Sequence, residues 1–100
     1  MLPKNRIASH PGIILLKEFL EPLNLTQTQF SKHVGLSLQT VNEIIKGKRG
    51  ITPETAWLFS KLFGTSPEFW MNLQMNYDLT SRKPEIKLKS LRAFKLPLAV

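Results

Sequence analysis

There is no cysteine in the 100 residues, which excludes disulfides, zinc knuckles and thiol catalysis. Long apolar runs are missing as well. The longest, "IILL" at residues 13–16, falls far short of the roughly 20 residues that span a bilayer, and the start "MLPKNRIASH" has no signal-peptide core. A cytoplasmic protein with no membrane partner is expected. Patterns that hold ligands or do chemistry are equally scarce. No serine has a neighbouring base or a Gly-rich elbow, no carboxylate pair recurs in an apolar setting, and no glycine motif for nucleotides occurs. His10 and His33 each lack a second ligand three or four residues away. We therefore expect no enzyme, no cofactor and no metal.

Acidic residues are few, seven against fourteen Lys and Arg, for a net charge of +7. Such an excess favours a polyanionic partner, although it also suits a merely soluble protein. Its distribution is uneven. Residues 1–80 hold eight basic and six acidic side chains, a net +2, whereas residues 81–100 hold six and one, a net +5. The pI near 10.1 thus describes the tail more than the body.

What is present is helix punctuation. Pro11 suits a first helical position, and Ile14, Leu15, Glu18, Phe19 and Leu20 continue a helical pattern towards Pro22. In "LTQTQF", Thr26 and Gln29 form a capping box, with Leu25 and Phe30 as a hydrophobic staple. Gly35 should end that helix, and Leu36, Ser37 and Val41 repeat the staple and cap at once. Thr52 and Pro53 open a fourth helix that Gly64 closes, and Ser66, Pro67 and Glu68 open a fifth. There is no internal repeat and no β-alternation before residue 85. The expected fold is all-α: a compact body of five short helices over residues 1–80 and a basic C-terminal tail over 81–100. The tail reads either as a solvated extension or as a strand or short helix offered to a partner. A long apolar face for a membrane anchor is missing.

The second and third helices define the candidate site. Val41 and Ile44 should face inward with Phe30 and Val34, leaving Gln39, Thr40, Glu43 and Lys46 on the opposite face. A helix of this kind, joined by a tight turn to its predecessor, fits a DNA major groove. Gln suits a bidentate contact to adenine, and Thr can hydrogen-bond a base or meet a thymine methyl. Gln27 sits at a helix N-terminus, where free N–H groups attract phosphate. Lys46, Lys48 and Arg49 would neutralise phosphates and add affinity without sequence choice. Taken singly, such polar side chains would suit an ordinary solvated face.

The stretch "LTQTQFSKHVGLSLQTVNEIIKGKRGIT" resembles the Cro/repressor-type (XRE) helix-turn-helix family, and the "HPG" opening with "GTSPEFWMNLQ" resembles its HigA (VapI-like) antitoxin branch. The resemblance runs from His10 to about Leu79. It implies a lambda-repressor-like DNA-binding and dimerisation domain, with the motif at about 26–46. It also implies homodimeric binding of double-stranded operator DNA, autorepression, and neutralisation of a HigB-like toxin, a RelE-like mRNA-cleaving enzyme. By position, Gln27 matches a phosphate contact, and Gln39 and Thr40 match base-reading positions. Leu38 stands where many relatives have a basic residue, so it would touch a thymine methyl or pack inward. The candidate DNA-binding set is Gln27, Ser37, Leu38, Gln39, Thr40, Asn42, Glu43, Lys46, Lys48 and Arg49.

Other residues have open alternatives. Trp57, Phe59 and Phe69 are expected in the core. Trp70, Leu73 and Tyr77 recur at helical spacing and fit either the core or a dimer interface. Glu18 and Glu21 are the acidic candidates for contact with a cationic toxin, or simply a solvated surface. A stand-alone phage or chromosomal repressor without a toxin remains an alternative, as does an interaction module with a vestigial DNA face.

Overall fold

The computed structural model describes residues 6–97. Among these residues all regular structure is helical, in the order α1 (Pro11–Ile14, running on as a π-helical segment Leu15–Leu20), α2 (Gln27–Val34), α3 (Leu38–Ile45), α4 (Pro53–Phe63), α5 (Pro67–Ser81) and α6 (Glu85–Ser90). The five expected helices are present, and a sixth occupies the tail. The starts of α2 to α5 follow their sequence devices. Thr26 and Gln29 close a reciprocal capping box, while Ser37, Thr52 and Ser66 cap α3, α4 and α5 through their hydroxyls. Gly35 ends α2 at φ 79°, in the left-handed region that side chains with a Cβ avoid.

The first helix departs from the expected α pattern. Its segment Leu15–Leu20 is π-helical, and Glu21 N donates to Leu16 O at 2.9 Å. In an α-helix, residues five apart point about 140° away from each other. The wider π turn brings Leu15 and Leu20 to one side, and both are completely buried.

Four helices converge on an aromatic core. The rings of Phe30 and Phe63 stack at 5.6 Å, Phe59 meets Trp70 edge-on at 5.1 Å, and Phe19 lies 4.6 Å from Phe63. Pairs of this kind add roughly 0.5–1.5 kcal/mol each beyond the area they bury. Trp57 corrects the expectation of a core residue: it is 65% exposed, because the buried side of α4 is taken by Thr55, Ala56, Phe59 and Ser60. Phe59 is buried as expected, and Phe69 lies at the edge with 38% of its surface exposed.

Between α1 and α3 the backbones touch. A Cβ on Gly12 would stand 1.8 Å from the Ile44 carbonyl oxygen, so only glycine fits there. His10 caps α1 by accepting Gly12 N–H at Nδ1 (2.9 Å), and Pro11 occupies the first helical position. The three residues "HPG" therefore seat α1 against the C-terminal end of α3.

Candidate nucleic-acid interface

α2 and α3 are joined by only Gly35, Leu36 and Ser37, and Ser31 O accepts the N–H groups of both Gly35 and Leu36. Val41 and Ile44 on α3 are completely buried, and Phe30 on α2 is 1% exposed. That shared apolar seam turns the other face of α3 outward. A side-chain bond also ties the pair together: Asn42 Nδ2 donates to Gln27 Oε1 at 3.0 Å. The bond uses the Gln27 oxygen and leaves its two amide N–H groups for another acceptor.

The outer face of α3 begins at its cap. Ser37 Oγ accepts Thr40 N–H at 3.0 Å and donates to Thr40 Oγ1 at 2.9 Å. The Thr40 hydroxyl proton is then free to be donated outward. Gln39 is exposed, with Nε2 3.4 Å from Glu43 Oε2. Leu38 is 47% exposed, so the inward-packing alternative falls and its side chain lies on the same outer surface.

Glu43 organises the basic loop. Its Oε1 accepts both Arg49 Nε (3.0 Å) and Nη2 (2.7 Å), drawing the guanidinium back against α3. Hydrogen bonding from Arg49, and then from Gln39, holds the Glu43 carboxyl below its ordinary range. A carboxylate beside a phosphate would otherwise repel it, and this pairing offsets its charge. Lys46 and Lys48 stay exposed and form no ion pair among the described residues. Gly47 turns the chain at φ 75° directly after α3 and so sets the direction of the loop.

The loop is anchored to α5 by Gln74, which is only 9% exposed. Its Oε1 accepts Ile51 N–H at 2.7 Å and its Nε2 donates to Asp78 Oδ1 at 3.0 Å. At Gly50 a Cβ would stand 3.1 Å from the same amide. A cleft opens here, lined by His10, Lys48, Arg49, Tyr77, Asp78 and Arg82. Arg82 was missed by sequence reasoning, because nothing local signals that the end of α5 meets the loop after α3. Burial holds the His10 imidazole below its usual pKa, and the nearby Asp78 charge opposes that shift.

The remaining candidates separate. Trp70 takes the core alternative and not the dimer interface: it is completely buried, and its Nε1 donates to Thr65 Oγ1 at 2.7 Å. Leu73 is half-buried against the core, and half-buried Tyr77 meets the His10 ring edge-on at 4.8 Å. The outward apolar side chains of α5 include Met75 and Leu79, four residues apart and 51% and 52% exposed. Glu18 and Glu21 are exposed at the end of α1, where Glu21 pairs with Lys17 at 3.2 Å. Among the described residues no cluster could hold a metal, and no helix is long and apolar enough to cross a membrane.

The helix-turn-helix family HTH_3 matches residues 16–70. Virulence-associated protein I of Dichelobacter nodosus is 40% identical over 72 residues, which are 72% of this chain and 67% of that protein. Virulence-associated protein A′ of the same organism is 44% identical over 72 residues, 71% of this chain and 62% of its own length. The solved structure of Pseudomonas aeruginosa antitoxin HigA with the higBA promoter is similar at a TM-score of 0.77 and 32% identity, covering 90% of this chain and 98% of that one.

Proposed function

The chain belongs to the HTH_3 helix-turn-helix family, of the XRE type, whose members are DNA-binding proteins and not enzymes, and from that membership we propose a specific role. It is a HigA-type antitoxin that binds double-stranded operator DNA as a homodimer, represses its own operon and neutralises a RelE-like mRNA-cleaving toxin. The observation that carries the DNA part is the outer face of α3. There Gln39 and Thr40 stand exposed or half-exposed beside a cap and a basic loop, on a helix fastened to its partner by Asn42 and Gln27. In such a motif the N-terminal part of the second helix reads base edges, while cations and helix N-termini hold the phosphates. The similar P. aeruginosa antitoxin, solved with a promoter, supports the same use of this face.

The toxin part is supported by the similar antitoxin and by chemistry. A toxin that binds RNA presents cations, and Glu18 and Glu21 offer carboxylates away from the α3 face. Lys17 beside Glu21 reduces that attraction locally, leaving Glu18 as the stronger candidate.

The test joins both parts. This protein should shift and footprint the DNA upstream of its own operon, and co-expression should restore growth in cells poisoned by the small open reading frame beside its gene. The two products should co-purify, and Glu18→Lys with Glu21→Lys should weaken the complex while sparing operator binding. A harmless neighbour that does not bind would leave a stand-alone repressor in place of the antitoxin.

A further inference from the structure

The helix-turn-helix makes no use of the basic stretch after α5. Between Arg82 and Lys95 this stretch holds six cations and one acid, Glu85. Every described residue from Arg82 onward is exposed. α6 is six residues long and has no side-chain cap, a length at which an isolated helix is marginal. Among the described residues, the one ion pair of this stretch, Lys83 to Glu85 at 4.0 Å, is exposed on both sides. Packing within the chain therefore gives no reason for this charge.

The root of the stretch lies in an informative place. Arg82 lines the same cleft as Lys48 and Arg49, the basic loop that follows α3. The acid in that cleft, Asp78, is already engaged by Gln74. The tail thus leaves the body beside the cations expected to face phosphate. The described chain measures 55 × 27 × 21 Å, an elongated outline for so small a helical body. With α6 kept helical, the fourteen residues reach over about 35–38 Å, roughly one turn of a duplex.

We propose that Arg82–Lys95 is a second DNA-backbone arm, rooted beside the Lys48 and Arg49 loop and lying along phosphates outside the half-site that α3 reads. The inference rests on the DNA-binding reading above and adds a contact surface to it. Cations scattered along an exposed segment suit a regularly spaced polyanion, because no fixed side-chain geometry is needed to neutralise phosphates. The exposed Ile86 and Phe94 give a lipid surface as the competing occupant.

The test uses the full chain carrying Lys87→Gln, Lys89→Gln, Arg92→Gln and Lys95→Gln together. All four sites are exposed, so circular dichroism and the thermal midpoint should match the parent. Binding is measured against salt concentration on an operator duplex and on a random duplex. The slope of log K against log salt should fall by about two to four units per protomer, since each phosphate contact contributes roughly 0.9. Affinity should drop by the same factor on both duplexes, and hydroxyl-radical protection outside the half-sites should disappear. An unchanged slope and footprint in a parent that still selects its operator overturns the arm and leaves the α3 reading intact. Retention of the parent by phosphatidylglycerol vesicles, lost in the variant while the DNA slope stays unchanged, overturns it in favour of lipid. A parent with no preference for any operator defeats the underlying reading instead.

Discussion

Single residues divide into those expected to discriminate among DNA sequences and those expected only to attract. Gln39→Ala and Thr40→Ala should each weaken binding to the cognate operator by about 1–3 kcal/mol and leave random DNA nearly unaffected. Lys48→Ala should weaken both, lowering the salt slope by roughly one unit. Equal losses on both duplexes for the Gln39 and Thr40 variants would refute their base-reading role. His10 offers a test of another kind. Its folded pKa lies below the ordinary 6.5, chiefly through burial, so unfolding takes up a proton as the pH falls past that value. Stability is complete above the unfolded pKa and declines as the pH drops through the lowered one. The urea midpoint should therefore fall as the pH drops below the ordinary histidine range. His10→Asn, whose side-chain oxygen can still accept the Gly12 N–H, should flatten that decline. If the variant keeps the parent's slope, His10 is not its source.

At the scale of elements, α1 and α3 are held in register by a contact that admits no side chain. Gly12→Ala would drive a methyl group into the Ile44 carbonyl. We expect a loss of about 1–3 kcal/mol in chemical denaturation, the usual range for overpacking, because neither backbone can yield without moving its helix. A larger relative effect on operator binding than on stability would show that α1 helps to orient α3. The aromatic core sets the complementary limit. Trp57→Ser should change stability by less than about 0.5 kcal/mol because its ring is exposed, whereas Trp70→Ser should be severe. Intrinsic fluorescence separates the two rings: the blue-shifted emission should belong to Trp70 and vanish only with it.

For the whole molecule, the proposed homodimer requires two α3 helices spaced for successive major grooves, roughly 34 Å apart on a near-palindromic site. The outward residues Met75 and Leu79 on α5 are better candidates for the joint than Trp70, which the core already occupies. Met75→Glu with Leu79→Glu should lower the sedimentation mass towards that of a monomer while circular dichroism stays helical. Operator affinity should fall with it, since each half-site alone binds weakly. A folded variant that remains fully dimeric removes this stripe from the interface.

Local chemistry was enough to place the helix starts and the turn between α2 and α3. Caps, N1 prolines and left-handed glycines act within three or four residues, so Thr26, Ser37, Thr52, Gly35 and Gly64 could be read in order along the chain. The same short range made the α3 face legible, because the buried Val41 and Ile44 determine by helical geometry which side is left for Gln39, Thr40 and Glu43. The departures all depend on partners distant in sequence. Trp57 reads as a core aromatic until α5 takes the other side of α4, and the π turn of α1 exists to bury Leu15 and Leu20 together. Periodicity shows that a residue can face a core, but only assembled neighbours decide whether that side is filled. Gln74 bonded to Ile51, Gly12 against Ile44, and Arg82 lining one cleft with Lys48 bring together residues 23 to 34 positions apart. Their energies come from desolvation and close packing, which have no sequence period, so the tertiary structure alone could bring them together.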